Sequence, residues 1–276
     1  KYGKIEDIDL IDIDILIFDI QDVGVRFYTH ISTLHYVMEA SARNSIPLII
    51  LDRPNPNGHY VDGPVLDSEN KSFVGMHEVP IVYGLTIGEY AKMINNEGWL
   101  SGNLKSNLLV IELKDYNRNN EYKLPIIPSP NLPNMKSVNL YPSLCLFEGT
   151  NVSVGRGTNL QFQIYGSPFL DKNQNMYKFR PVKNIGSKYP KHENILCFGK
   201  NLKDNKRLEK FDLSFLLTAY ADTSNKEEFF NNYFTKLAGT KDLKEQIIKG
   251  VSEDKIILSW QKKLDIYKKM RTKYLI

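Results

Sequence analysis

Between Phe147 and Thr158 the chain reads Phe-Glu-Gly-Thr-Asn-Val-Ser-Val-Gly-Arg-Gly-Thr. One carboxylate (Glu148), one guanidinium (Arg156), one amide (Asn151) and three hydroxyls (Thr150, Ser153, Thr158) crowd this stretch, with glycines at 149, 155 and 157. Glycine lets a backbone approach a ligand closely and take positive φ. A carboxyl group can give a proton to a leaving oxygen or take one from water. A guanidinium can clamp a substrate carboxylate through two parallel hydrogen bonds. The plainer alternative is a tight polar turn in which Arg156 simply pairs with Glu148. No Gly-Lys-Ser/Thr closes the segment, so it is not a P-loop, and it carries no dinucleotide fingerprint.

Two further polar clusters follow apolar runs. Residues 15–18 (Ile-Leu-Ile-Phe) read as a parallel strand buried on both faces, and Asp19, Gln21, Asp22, Gly24 and Arg26 come directly after. Residues 47–51 repeat the pattern and end in Asp52, Arg53, Asn55 and Asn57. Residues 141–146 are apolar and β-leaning, and lead into the Glu148 loop. Polar groups at the carboxyl ends of parallel strands are where ligands collect in open α/β sheets. Carboxylates, arginines, amides and hydroxyls gathered there suit the holding and cleavage of a sugar. In the usual glycosidase scheme one carboxyl acts as acid and a second as nucleophile or base. Glu148 fits the acid, with Phe147 and Phe162 supplying a partly apolar pocket, and Asp22 fits its partner. Arg26 or Arg156 would clamp a substrate carboxylate. Structural alternatives stand beside these: Asp19 as the cap of a turn, and Asp52 with Arg53 fixing the Pro-Asn-Pro-Asn-Gly turn.

The elements that must position these groups follow from periodicity. Residues 29–44 carry apolar positions at helical spacing, so the two strands and this helix form a βαβ unit. A long Pro- and Gly-rich loop spans residues 54–80 and carries Asp62, Asp67, His77 and Glu78. Thr86 and Glu89 form a capping box opening a helix over residues 87–96. Residues 108–113 read as a third strand. The proline-dense passage 124–142, with Asn131 and Asn134, is expected to be neither helix interior nor central strand, and to cross between two lobes. Strands are expected at 160–165 and 177–182, and helices at 212–221, 226–237, 241–248 and 253–274. The last has Ile256, Trp260, Leu264 and Tyr267 along a packing stripe.

Composition narrows the classes. The chain has 276 residues, 42% hydrophobic and 25% charged, enough for a core without disulfides or metal. A net charge of +4, from 36 basic and 32 acidic residues, gives no electrostatic footprint for nucleic acid. No apolar run approaches a membrane span. The five histidines and two cysteines show no metal-ligand spacing. Cys145 and Cys197 are able to pair, although Cys145 reads as a small core residue. A serine hydrolase would want a Gly-x-Ser-x-Gly elbow, which the sequence lacks.

Four strings taken together resemble a known family: Phe18 to Thr29 (Phe-Asp-Ile-Gln-Asp-Val-Gly-Val-Arg-Phe-Tyr-Thr), Leu51 to Gly58 with Asp62-Gly63-Pro64, Ser129-Pro130-Asn131-Leu132-Pro133, and Leu146 to Thr158. The chain resembles, over nearly its whole length, the exo-β-N-acetylmuramidases of the NamZ/YbbC type, formerly a domain of unknown function. The resemblance implies an α/β fold: a Rossmann-like parallel-sheet domain (residues 1–134) and a smaller α+β C-terminal domain (residues 135–276), with the site in the cleft between them. It implies release of terminal β-linked N-acetylmuramic acid from the non-reducing end of peptidoglycan fragments, outside the cytoplasm (secreted or periplasmic), with no nucleotide cofactor. The arginine clamp then has a target, the lactyl carboxylate of the sugar. Glu148 and Asp22 become the catalytic pair. Asp19, Gln21, Arg26, Asp52, Arg53, Asn55, Asn131, Thr150, Asn151, Arg156 and Thr158 become substrate holders. The resemblance further implies strands, an export signal and a Glu-His-Gly-containing loop ahead of the Tyr2-Gly3-Lys4 turn. A peptidoglycan-sugar binding module without catalysis is the alternative from another class; an esterase or amidase would need a nucleophile not evident here.

Overall fold

The computed structural model describes residues 4–276, so Tyr2 and Gly3 lie outside it. Three short strands, β1 (Leu16–Phe18), β2 (Leu48–Leu51) and β3 (Leu108–Ile111), form a parallel sheet in that spatial order. The crossovers contain α1 (His30–Asn44) and α2 (Ile87–Asn96). Phe18, Leu48 and Ile50 pack under both helices against Ile31, Leu34, Met38, Ala91 and Ile94. Burying a side chain of this kind stabilises by roughly 1.5–3 kcal/mol. The opposite face departs from the expectation for β1, since Ile15 and Ile17 are exposed (52% and 64%), as are Leu109 and Ile111. The reason is geometric: both helices lie on the same side of the sheet.

The capping box at α2 is formed as expected. The Thr86 hydroxyl accepts from the Glu89 amide, and the Glu89 carboxylate accepts from the Thr86 amide. Asp52, leaving the end of β2, completes this cap by accepting from the Gly88 amide and the Thr86 hydroxyl, both at 2.8 Å. Fully buried Glu89 is further paired with Arg118 at 2.7 Å.

Beyond the sheet the proline-dense passage ends differently from expectation. Helix α3 (Met135–Leu144) runs through Pro142 and continues as a 3-10 turn, Cys145–Gly149, so residues 141–146 are not a strand. Asn134 caps this helix by accepting from the Ser137 amide at 2.9 Å. Proline lacks the N–H that would satisfy the carbonyl four residues earlier. Here that carbonyl, on Val138, accepts instead from the buried Asn57 amide at 3.1 Å. A side chain from the N-terminal half thus repairs the helix the sequence argued against.

An antiparallel sheet of β4 (Ile164–Ser167), β5 (Tyr177–Phe179) and β6 (Cys197–Asn201) follows, in the order β4-β6-β5. Strand β6 was not expected, because a glycine in its middle weakens the strand signal. Gly199 lies opposite Gly166, and a Cβ on it would stand 1.8 Å from the Tyr165 carbonyl oxygen, so the pairing requires glycine. The last helices are α4 (Ser214–Asp222), α5 (Phe234–Ala238), α6 (Asp242–Ile248) and α7 (Glu253–Arg271). Helix was expected from residue 226, but α5 starts eight residues later. The preceding segment gives its main-chain groups to the Glu148 loop: the Phe229 carbonyl accepts from Asn151, and the Asn231 amide donates to Gly149.

The halves on either side of residue 134 share one core. Val23, Val25, Phe27, Ile81 and Val82 cluster with Val138, Leu144, Phe147, Phe162 and Trp260. The stripe of α7 is buried as its spacing predicts, and Tyr267 donates to the Tyr83 carbonyl at 2.7 Å. Cys145 and Cys197 are both buried and unbridged. No helix is long and apolar enough to cross a membrane among the described residues.

Candidate active site

The 3-10 turn that ends α3 delivers Glu148 to the mouth of a small cavity of about 170 Å³. Val152, Ser153, Val154 and Arg156 line it from the same loop, and Ser187, Tyr189 and Lys191 from a later one. Arg156 meets Glu148 at two points, with Nε 2.6 Å from Oε1 and Nη2 donating to Oε2 at 3.0 Å. Both side chains stay partly open (34% and 25% exposed). The guanidinium lies over the Phe162 ring, 5.4 Å from its centroid. Burial draws Arg156 down, but the Glu148 carboxylate more than reverses this, so the guanidinium sits above its ordinary value. Gly155 and Gly157 take φ of 76° and 80°, which turns the loop back so that residue 156 faces residue 148. Gly149 has no room for a side chain, since a Cβ there would sit 2.4 Å from the Phe234 Cα. This arrangement presents one partly exposed carboxylate and one partly exposed guanidinium to the cavity.

Other residues of the loop serve its shape. The Thr150 hydroxyl donates to the Phe147 carbonyl and accepts from the Val152 amide; the Thr158 hydroxyl does the same between Gly155 and Leu160. Both hydroxyls, expected as sugar ligands, are engaged in shaping the turn. Asn151 anchors the loop through its main chain, while its side-chain oxygen and nitrogen are buried without partners among the described residues. Asn131 donates to the Gly186 carbonyl at 2.7 Å, which ties it to the cavity rim beside Ser187.

The first two clusters do not join this cavity. Asp22 is buried, accepting from the Gly24 amide at 2.6 Å and from the Tyr83 hydroxyl, with its other oxygen unpartnered among the described residues. It is not among the residues lining the Glu148 cavity, so those two carboxyls do not flank one hollow. Arg26 is fully buried and donates to four main-chain carbonyls, which leaves it unable to clamp a substrate. Asp52 caps α2, and Asn55 joins the Leu85 carbonyl to the Asn57 amide. Gly24 abuts that Asn55 amide, where a Cβ would come within 2.0 Å of it. Gln21 bridges the carbonyls of Asp22 and Pro54. Asp19 and Arg53 form a half-exposed pair at 2.5 Å. These motif residues build the framework under the site.

Asp22 carries a testable signature. Burial raises its carboxyl from 3.8 to about 6, against the opposing hydrogen bonds from Tyr83 and Gly24. Between those two values the folded state holds a proton that the unfolded state has released, so its contribution to stability falls as pH rises through this window. A shift of this size corresponds to about 3 kcal/mol. Asp22→Asn has no charge to bury. Its urea stability relative to wild type should therefore improve by about 1–3 kcal/mol between pH 4 and pH 7. A pH-independent difference would show that Asp22 does not titrate abnormally.

Lys191, Ser187 and Tyr189 were not foreseen, because their loop has no periodic pattern and no Gly-rich signature. The described residues contain no group of His, Cys, Asp or Glu arranged for a metal ion.

Comparison with known proteins agrees with this architecture. The family models for exo-beta-N-acetylmuramidase NamZ match residues 2–136 with the N-terminal part and residues 139–276 with the C-terminal part. The peptidoglycan beta-N-acetylmuramidase NamZ of Bacillus subtilis (strain 168) is 39% identical over 284 residues, covering 96% of this chain and 68% of that protein. The crystal structure of a DUF1343 family protein (BF0379) from Bacteroides fragilis NCTC 9343 superposes with a TM-score of 0.92 at 44% identity, covering 98% of this chain and 77% of that one. A second DUF1343 structure from the same organism (BF0371) gives 0.80 at 28% identity, over 99% of this chain and 77% of that one. With both family models matched in order along nearly all its length, this chain belongs to the NamZ exo-β-N-acetylmuramidase family.

Proposed function

We propose that this chain is a glycoside hydrolase that releases terminal β-linked N-acetylmuramic acid from the non-reducing end of peptidoglycan fragments, outside the cytoplasm and without a nucleotide cofactor. The observation that carries the site assignment is the Glu148–Arg156 pair at the mouth of its cavity. Muramic acid differs from other amino sugars in its lactyl carboxylate, and a carboxylate is the ligand a guanidinium fork selects. On this reading Arg156 turns from Glu148 to the lactyl group as substrate enters. Glu148, relieved of its partner and facing a new anion, then takes up a proton and can donate it to the leaving oxygen.

Incubation with a chromogenic β-N-acetylmuramide is the test. Release of chromophore is expected, and release should be far slower from the matching β-N-acetylglucosaminide, which lacks the carboxylate. A specific observation supports a second reading, a binding module: the cavity that holds Glu148 has no second carboxylate among its lining residues. Saturable binding of muramide with no chromophore released would favour that reading and overturn the first.

A further inference from the structure

Lys191 enters the cavity from the loop opposite Glu148, and its ammonium has no acidic hydrogen-bond partner. Its Nζ donates to the main-chain carbonyls of Phe147 (3.0 Å), Thr150 and Val152 (3.0 Å). An ammonium has three N–H donors, and all three are engaged. Lys191 therefore has nothing left with which to hold substrate, and while protonated it has no lone pair for nucleophilic or base chemistry. The next residue continues the pattern, with His192 Nε2 donating to the Asn151 carbonyl at 2.6 Å. Two adjacent side chains thus collect four carbonyls from the six residues 147–152. That is the turn that carries Glu148 and leads to Arg156. The Phe147 carbonyl also accepts from the amide and hydroxyl of Thr150, so among the described residues it is the Thr150 and Val152 carbonyls that depend on Lys191 for a donor.

We propose that Lys191 is the positioning residue of this site, and that the Glu148–Arg156 pair keeps its working geometry only while Lys191 is an ammonium. The proposal rests on the reading of that pair as the substrate site. A neutral amine keeps two N–H donors and turns a lone pair toward the third carbonyl. One of the three is then released, and the turn relaxes around it. Displacements well under 1 Å at a reacting group are enough to lower turnover severalfold or more.

The groups facing Lys191 set where this happens. Burial draws its ammonium down to about 8, with Glu148 across the cavity pulling upward and Arg156 pulling downward. His192 beside it lies below its ordinary value through burial, so it is already neutral at pH 8. Tyr141, Cys145 and Tyr233, which neighbour Glu148, are all raised by burial. Arg156 is raised by Glu148.

The experiment pairs a pH profile with a titration that does not depend on turnover. For wild type, kcat/KM on the chromogenic muramide should fall about tenfold per pH unit above pH 8. Lys191→Arg keeps a charge that persists past pH 10, so its alkaline limb should move up by at least one unit, even if its plateau is lower. Lys191→Met should lose 10- to 100-fold at pH 7 and show no alkaline limb. In the unmutated protein, 13C-labelled lysine should reveal one side chain titrating near 8, with the amide resonances of residues 147–152 moving at the same pH. An alkaline limb in Lys191→Arg that coincides with wild type overturns the proposal, as does a titration of Lys191 that leaves residues 147–152 unmoved. Should wild type release no chromophore at any pH, the substrate reading fails, and the amide titration still decides whether Lys191 holds the turn.

Discussion

Replacing Arg26 with methionine should cost the protein on the order of 5 kcal/mol, more than any other single substitution considered for this chain. The guanidinium is entirely buried and, among the described residues, pairs with no carboxylate. It donates instead to the carbonyls of Pro64 and Val79 through Nη1, and of Leu237 and Ala238 through Nη2, all between 2.7 and 2.9 Å. The first two belong to the long loop of the N-terminal half. The last two close α5, where unpartnered carbonyls and the helix dipole both favour a cation. Gly239 ends that helix at φ 76°, and a Cβ there would stand 2.5 Å from Nη2, so the helix end is shaped around the arginine. Burial lowers its pKa to about 10, which still leaves it charged at neutral pH. Methionine fills most of the volume and leaves the Pro64, Leu237 and Ala238 carbonyls with no donor, while the Val79 carbonyl keeps the Leu66 amide; each orphaned acceptor costs about 1–3 kcal/mol, not strictly additively. Against a total stability of about 5–15 kcal/mol, Arg26→Met should be largely unfolded or confined to low temperature. Arg26→Lys, with three donors for four acceptors, should fall between the two. Urea denaturation of the three proteins checks this, and a loss under 1 kcal/mol for methionine would show that water or rearrangement satisfies those carbonyls.

Arg26 also shows what the sequence made legible and what it hid. Its motif was visible as a polar cluster after a strand, and the strand, α1, β2, the Thr86–Glu89 cap and the packing stripe of α7 all followed from local periodicity and capping chemistry. Whether a polar residue in such a cluster faces a ligand or the main chain depends on contacts more than two hundred residues away, as with Leu237 and Ala238, and local pattern carries no trace of these. The same holds for Pro142, which local rules exclude from a helix until Asn57 supplies the donor that proline lacks. It holds again for residues 226–233, whose helical signal yields to main-chain pairing with the Glu148 loop. The dense glycine-rich segment was recognisable because several functional groups and their turns lie within one short stretch. Lys191 was not, because its role is defined by three carbonyls of a distant loop.

Glu148→Gln should lower kcat by about 10²- to 10⁴-fold while changing stability by less than about 1 kcal/mol. The stability effect is small because the pair with Arg156 is partly solvent-exposed, and glutamine can still accept one of the two contacts. The catalytic effect is large because an amide cannot deliver the proton. The partner exchange proposed for Arg156 makes a further, sharper demand. If the lactyl carboxylate is what draws Arg156 away, then amidating that carboxylate leaves Glu148 paired and unable to accept a proton. Wild type should then lose in kcat as well as in KM on the amidated substrate, where loss of a simple binding contact would raise KM alone. Arg156→Met should lose heavily on the acidic substrate, whereas on the amidated one it should lose nothing or regain part of kcat, since the lactyl contact is already absent there and the substitution releases Glu148 from its partner. The two changes should thus be strongly non-additive, as expected for groups that touch. Near wild-type turnover by Glu148→Gln would remove Glu148 from the chemistry. Additive losses in the Arg156 cycle would leave Glu148 in place and remove the exchange, because the carboxylate and the guanidinium would then be acting on the reaction independently.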